Sequence, residues 1–385
     1  MATNRPLTAV APPHRTSSLR SELSLFAPLL TSLVLLLVGQ EWRAILENLL
    51  LSGLAFIWLF GMIILGAVSV VRHADYLAVM LGEPYGTMIL TLSVASIEIL
   101  TIAIVMTTGA PNPTLARDTM FSIVMIVLNG LIGFSLVLGG LRYHEQEYNL
   151  KGVIAYLSVI VSLAIFGLIM PNYTSTTPGP TFSVPQEVFL IVMCIGLYAV
   201  FLAIQTTRHR SFFIQPHEKS AGPDIHGVNH PVAGMHSAGY HAAWLAGYLS
   251  LVIFLAEKLA ILLNHGLDDL NAPPALGALL VAILVLSPEG LGAVSAAIAN
   301  NMQRAVNVLM GSALATLALT IPAVVIVGLL HGTTVVLGLN GTETVMLVLT
   351  LMVSMLTFAS GRTNVLQGAV HVMFFLAYLM LIIWR

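Results

Sequence analysis

Along this chain apolar residues come in unbroken runs of about twenty, separated by short polar segments. About twenty residues is the length an α-helix needs to cross the hydrocarbon core of a bilayer. The period-two alternation of a membrane β-barrel is absent. The runs at roughly 24–40, 50–72, 84–107, 119–141, 152–170, 185–206, 241–264, 275–300, 306–330, 343–360 and 365–384 predict about eleven transmembrane helices. Gly and Pro clusters punctuate them: Gly109-Ala110-Pro111-Asn112-Pro113, Thr177-Pro178-Gly179-Pro180 and Asn271-Ala272-Pro273-Pro274. One polar stretch is long, about 207–240, and it leaves six predicted helices before it and five after it.

Composition agrees. Hydrophobic residues make up 57% of the chain and charged residues 8%, against about 25% charged in a soluble domain. The expected class is therefore an all-α integral membrane protein, with the lipid bilayer as a partner and no nucleic-acid surface. The net charge of -2 is uninformative, because the few charges fall in loops. Cys194, the one cysteine, lies in an apolar segment and reads as a small buried hydrophobe. Residues 1–23 carry Arg5, Arg15 and Arg20 without an apolar core and cleavage site, so they read as a cytoplasmic tail rather than a signal peptide.

Basic residues set the expected orientation. Numbering the loops alternately puts Arg5, Arg15, Arg20, Arg72, Arg142, Lys151, Arg208, Arg210, Lys219, Arg304 and Arg362 on one side, and Arg43, Arg117 and Arg385 on the other. That bias places the N-terminus in the cytoplasm and the C-terminus outside. It also favours an odd number of spans. If residues 24–49 hold an extra N-terminal helix, the rest divides into a five-helix repeat at 50–206, a cytoplasmic loop at 207–240 and a second five-helix repeat at 241–385. Two repeats of five helices must insert upside down relative to one another, a design whose ion site lies at the repeat interface.

Against this background two acids stand out. Glu98 and Glu289 lie deep inside apolar runs, where an ionised side chain is costly and marks a substrate or proton path. Glu98 is about 20 Å along its helix, with Ser93, Ser96 and Thr101 nearby in sequence. Glu289 follows Leu286-Ser287-Pro288, and Pro288 withholds the N–H that the Leu284 carbonyl would accept. A freed carbonyl beside a carboxylate suits a hard cation. The bland alternative is that each acid caps a helix or pairs with a base, and Lys258 is the only candidate base inside a span. Each acid is followed, in the next run, by Asn-x-x-x-Gly: Asn129 to Gly133, and Asn307 to Gly311 with Ser312 and Ala313. Those amides either ligate a cation or make interhelical hydrogen bonds between closely packed helices.

Other polar residues are less specific. Glu83 stands at a cytoplasmic helix start, either as a cation-gathering entry or as a first-turn carboxylate beside Pro84. Glu257 and Lys258 are adjacent and so expected not to face each other; Lys258 then neutralises an acid on another helix or snorkels outward. His209, His217, His226, His230, His236 and His241 cluster in and just after the long loop. Imidazoles there could sense pH or a metal, but the interspersed Pro and Gly give no fixed ligand spacing, and a solvated linker is the plainer reading. No phosphate-binding Gly-x-x-x-x-Gly-Lys-Ser/Thr, His-Glu-x-x-His or Cys-x-x-Cys is present.

Gly82-Glu83-Pro84-Tyr85-Gly86-Thr87 running to Ile97-Glu98, and Ser287-Pro288-Glu289-Gly290 followed by Asn307 and Gly311-Ser312-Ala313, resemble the two repeat motifs of the calcium/proton exchangers. These belong to the calcium/cation antiporter superfamily, and the likeness is to its bacterial sodium-potassium/calcium–proton branch, over about residues 50–385. The resemblance implies a ten-helix inverted-repeat core, an extra N-terminal helix, a bacterial inner-membrane location and a role in pH homeostasis. It implies that Glu98 and Glu289 bind metal cation and protons in alternation, with Asn129, Asn307, Ser96, Ser287 and Ser312 around them. Glu83, His217, His226, His230 and His236 would serve entry or regulation. No cofactor is implied beyond the transported Ca²⁺, Na⁺ or K⁺ and H⁺. The Gly-Asn-x-x-Glu form of the vacuolar relatives is absent, and the central loop carries His rather than Asp and Glu. The expected function is secondary antiport, with a paired-acid cation channel and a membrane-embedded metalloenzyme as the alternatives.

Overall fold

The computed structural model describes residues 23–39, 41–81, 85–108, 113–216, 236–270 and 272–384. Within them run eleven helical stretches: α1 (Leu23–Val38), α2 (Leu49–Leu81), α3 (Tyr85–Thr108), α4 (Leu115–Tyr143), α5 (Leu150–Tyr173), α6 (Val184–Arg208), α7 (Ala238–Asp269), α8 (Pro274–Ile298), α9 (Met302–His331), α10 (Gly341–Thr357) and α11 (Val365–Ile383). Among the described residues seven are long and apolar enough to cross a membrane, and α8 is an eighth if its two arms count as one span. Those arms, Ala275–Ser287 and Glu289–Ile298, meet at 56°. The bend sits where Pro288 removes a helix hydrogen bond.

Two helices outrun their predicted bounds. The apolar run at 50–72 becomes α2, which continues to Leu81, and 241–264 becomes α7, which reaches Asp269. Hydropathy marks only the apolar part of a helix; beyond it the helix goes on through polar residues such as Arg72 and His73, and His73 is buried against His241. Three features had no signal in the apolar pattern. One is a 3₁₀ stretch at Glu41–Glu47. Another is a set of π turns, including Ile126–Leu131 in α4 and Thr316–Thr320 in α9. The third is a short antiparallel ribbon, β1 (Glu145–Glu147) against β2 (Arg362–Asn364), with Gln146 opposite Thr363.

Loop contacts sort the helix ends onto two faces. On one face the ribbon joins the α4–α5 and α10–α11 connections. There the Tyr143 hydroxyl donates to the Ile298 carbonyl, and the Asn149 amide donates to that of Ser211. On the other face Arg117 donates to the Gly338 carbonyl, and Asn172 to that of Leu339. The alternation expected for α4 to α11 is thus kept. Arg142, Lys151, Arg208, Arg210, Arg304 and Arg362 share the first face, and Arg117 stands on the second.

Buried apolar residues form two main cores. The larger draws on α4, α5, α6, α9, α10 and α11. The smaller is built on α2 and α7, with Leu59, Ile63, Tyr248 and Leu255 among its members. Helices α3 and α8 contribute to both: Ile102 and Ala282 to the larger, Ile97, Leu284 and Val285 to the smaller. The two helices that carry the acids therefore lie between two packed bodies. Side chains on the outer surface, such as Leu50, Ile57, Leu141, Val192 and Leu366, are apolar and exposed, as lipid requires.

In the larger body α4 and α11 meet at backbone distance. A Cβ on Gly133 would strike the Val372 backbone, one on Gly140 the Val365 backbone, and one on Gly368 the Val137 backbone. Small residues allow this approach, the usual source of affinity between helices in lipid. Gly368→Leu should therefore lower the unfolding midpoint of detergent-solubilised protein by the equivalent of about 1–3 kcal/mol, the usual cost of overpacking. Gly196→Leu, where a Cβ meets nothing within 4 Å, should leave the midpoint close to wild type. Equal melting curves for the two variants would contradict the close α4–α11 seam.

Candidate functional site

Glu98 is carried by the middle of α3 and is 3% exposed. Its Oε2 accepts a hydrogen bond from the Thr316 hydroxyl, and its Oε1 one from the Thr320 hydroxyl, each 2.7 Å. Both threonines are wholly buried and belong to the π turn of α9, in the opposite half of the chain. Four residues apart, they present their hydroxyls on one face of that helix. Pro322 stands two residues past Thr320; it withholds the N–H that the Ala318 carbonyl would accept, which fits a local π turn there.

Glu289 stands at the start of the second arm of α8, directly after the bend. The Ser312 hydroxyl of α9 approaches it, and Glu98 lies within electrostatic reach. Its Oε2 is buried and has no hydrogen-bond partner among the described residues. No ion pair involves Glu98 or Glu289 among those residues; the ion pairs found there join other groups. Two carboxyl groups, one from each half, thus share an apolar interior with three hydroxyls and no base. An all-oxygen set of this kind suits a hard cation such as Ca²⁺ or Na⁺ rather than a thiophilic metal.

Lys258 is the base the sequence offered, and the structure corrects that expectation. Its Nζ lies 2.8 Å from Glu257 Oε1 and 5.1 Å from the centre of the Phe254 ring. Adjacent Cβ atoms do diverge on a helix, but two long flexible stems can still bring their ends together.

The remaining predicted residues fall in different places. Ser96 donates to the Leu92 carbonyl and Ser287 to that of Ile283. Each precedes its glutamate by two residues, about 200° around a helix, so the structure does not bring either to the carboxylates. The Asn307 Nδ2 donates to the Phe213 carbonyl, and its Oδ1 accepts from Gln303, so its amide ties α9 to the segment after α6. Asn129, fully buried in the π turn of α4, donates from Nδ2 to Thr350 Oγ1 at 2.8 Å. Its Oδ1 lies 3.2 Å from His371 Nδ1. The two Asn-x-x-x-Gly motifs are not equivalent in depth. Asn129 lies fourteen residues past Leu115, whereas Asn307 lies five past Met302, a mismatch of about 14 Å along a helix. Counted the same way, the residue of α9 that matches Asn129 is Thr316.

Glu83, His217, His226 and His230 lie outside the described residues. His236 stacks near Tyr240, with ring centroids 4.3 Å apart. His241 is buried at the start of α7, where its Nδ1 is 3.0 Å from that of His73. Among the described residues no group of three or more His, Cys, Asp and Glu side chains is placed to hold a metal. Sequence reasoning passed over Thr316 and Thr320. The available signal was a pair of polar side chains at i and i+4 inside an apolar run.

The geometry is matched by wider likeness. A family model described as sodium/calcium exchanger protein matches residues 51–207 and 240–384. The chain is 42% identical to the sodium-potassium/proton antiporter ChaA of Escherichia coli, over 94% of this chain and 96% of that one. It is 26% identical to a Ca²⁺/H⁺ antiporter of Synechocystis, over 66% and 72% of the two chains. In fold it resembles the crystal structure of the Ca²⁺/H⁺ antiporter protein YfkE, with a TM-score of 0.71 at 18% identity, covering 96% of this chain and all of the other. It also resembles the H⁺/Ca²⁺ exchanger CAX, with a TM-score of 0.65 at 14% identity, covering 94% and 88%.

The threonine clamp makes a direct prediction. Thr316→Val together with Thr320→Val strips both donors from a buried carboxylate, at a cost of about 1–3 kcal/mol for each unsatisfied site. The double variant should melt well below wild type in detergent at neutral pH, and Glu98→Leu added to it should restore much of the loss. A double variant as stable as wild type would show that the hydroxyls do not hold Glu98.

Proposed function

The chain belongs to the sodium/calcium exchanger family, and from that membership we propose how its buried acids work. The protein is a secondary transporter, a cation/proton antiporter, which sets aside the channel and metalloenzyme readings. Our reading is that Glu98 and Glu289 form one site that holds either a metal cation or protons. The observation that supports it is two carboxyl groups from opposite halves, within reach of one another, Glu98 buried and Glu289 half-buried with its Oε2 shut off from solvent, and no ion pair to either among the described residues. Two such groups cannot both stay ionised in a medium of low dielectric without a counter-charge. A cation supplies that charge, and protonation removes the need for it. The two ligands therefore exclude one another, and exclusion at a site open first to one side and then to the other is antiport.

Thr316, Thr320 and Ser312 add hydroxyl oxygens to this site. The α8 bend leaves the Leu284 carbonyl without its helical donor and able to contribute as well. Helices α3 and α8, shared by the two packed bodies, would change the exposure of the site as those bodies shift. We propose export of Ca²⁺, or of Na⁺ or K⁺, from the cytoplasm of a bacterial cell against inward H⁺, across the inner membrane with the N-terminus inside. The Na⁺ and K⁺ option is supported by the name of the Escherichia coli relative, and Ca²⁺ by that of the Synechocystis relative.

The test is exchange in reconstituted vesicles with an internal fluorescent pH reporter, adding Ca²⁺, Na⁺, K⁺ and Mg²⁺ in turn. Glu98→Gln and Glu289→Gln should each reduce cation-driven proton flux to background while the protein still inserts. Normal flux in either variant removes the proposed site. Competition also fixes the sign of the pH effect. As the pH on the cation side falls, protons hold the acids and the half-saturating cation concentration should rise, by up to about tenfold per pH unit for each proton displaced. A half-saturation independent of pH would contradict a shared site.

A further inference from the structure

The two acids are not served alike. Glu98 takes two hydrogen bonds from the π turn of α9, while Glu289 Oε2 has no partner among the described residues. The inverted repeat supplies the comparison. Fourteen residues past the start of α9 is Thr316, which bonds Glu98, and fourteen past the start of α4 is Asn129. The π turn of α4 that carries Asn129 packs against α8, where Leu131 covers Gly290, next to Glu289. By symmetry, the Asn129 amide is the group that would serve Glu289. Instead both ends of that amide are engaged elsewhere, its Nδ2 by Thr350 of α10 and its Oδ1 by His371 of α11.

His371 is fully buried on the seam where α4 and α11 meet at backbone distance. Its Nε2 is 3.0 Å from Thr357 Oγ1, and its Nδ1 faces Asn129 Oδ1. Asn129 Oδ1 is an acceptor, so the imidazole N–H must lie on Nδ1, and the Thr357 hydroxyl then donates to Nε2. Each partner is committed, and the imidazole makes no contact with either acid among the described residues. A buried, ionisable side chain in a span is costly to keep, and here it ties Thr357 of α10 to the π turn of α4, at the Asn129 amide and the Leu128 carbonyl.

We propose that His371 is a positioning residue for exchange: it holds the Asn129 amide away from Glu289, and so sets how tightly the Glu289 half of the site binds its cation. When the amide is released, its carbonyl oxygen becomes a further ligand for a cation at Glu289. Retention by His371 keeps the site one oxygen poorer, so that the cation leaves more readily. This rests on the antiport reading above, and the experiment separates the two.

The probe is the cation among Ca²⁺, Na⁺ and K⁺ that drives proton flux in wild-type vesicles, with half-saturating concentration and maximal rate measured separately. His371→Leu should lower the half-saturating concentration about three- to tenfold, the equivalent of one hydrogen bond gained, and should also lower the maximal rate. His371→Gln, which retains a donor for Asn129 and an acceptor for Thr357, should return both values towards wild type. In an Asn129→Ala background, His371→Leu should have no further effect on half-saturation. Two outcomes overturn the proposal: an unchanged half-saturation in His371→Leu, or a shift that persists without Asn129. If His371→Leu fails to insert, Thr357→Val loosens the imidazole from its far side and should shift half-saturation in the same direction; no shift there overturns it equally. Absence of exchange in wild type, or its survival in Glu98→Gln, would count against the antiport reading instead.

Discussion

Two carboxyl groups set inside an apolar interior, with no ion pair to either among the described residues, are the constraint that organises this molecule. An ionised acid away from water must find a counter-charge, hydrogen-bond donors or a proton. Glu98 has found donors, in two threonines from the opposite half. Glu289 retains an oxygen with no partner among the described residues. Such an interior is stable only if something positively charged can enter it, or if protons can.

The helices that carry this pair lie where two apolar bodies meet. Helices α3 and α8 pack against both. At the α4–α11 seam glycines bring two backbones together, and a buried network of Asn129, Thr350, Thr357 and His371 ties the seam across three helices.

The twofold repeat expected from the sequence would be imperfect at the level of side chains. Glu98 and Glu289 correspond, and so do Ser96 and Ser287, each bonded back to its own helix. The recurrent Asn-x-x-x-Gly suggested a further correspondence that helix depth removes. Asn129 matches Thr316, not Asn307. Sequence spacing from a motif is a poor guide when the helix start is not known, since an error of nine residues moves a side chain about 14 Å.

The sequence alone determined the membrane class, and it singled out Glu98 and Glu289 as acids inside apolar runs. Each follows from local cost: apolar runs match the bilayer, and an acid inside it is too expensive to be incidental. Partners across the interior were left to tertiary structure. Thr316 and Thr320 lie 218 and 222 residues from Glu98, and no local pattern joins them. The direction of the Asn129 amide, the pairing of Lys258 with its neighbour Glu257 and the π turns were decided in the same way. Side-chain orientation depends on what stands opposite, and only the packed helices bring those opposites into place.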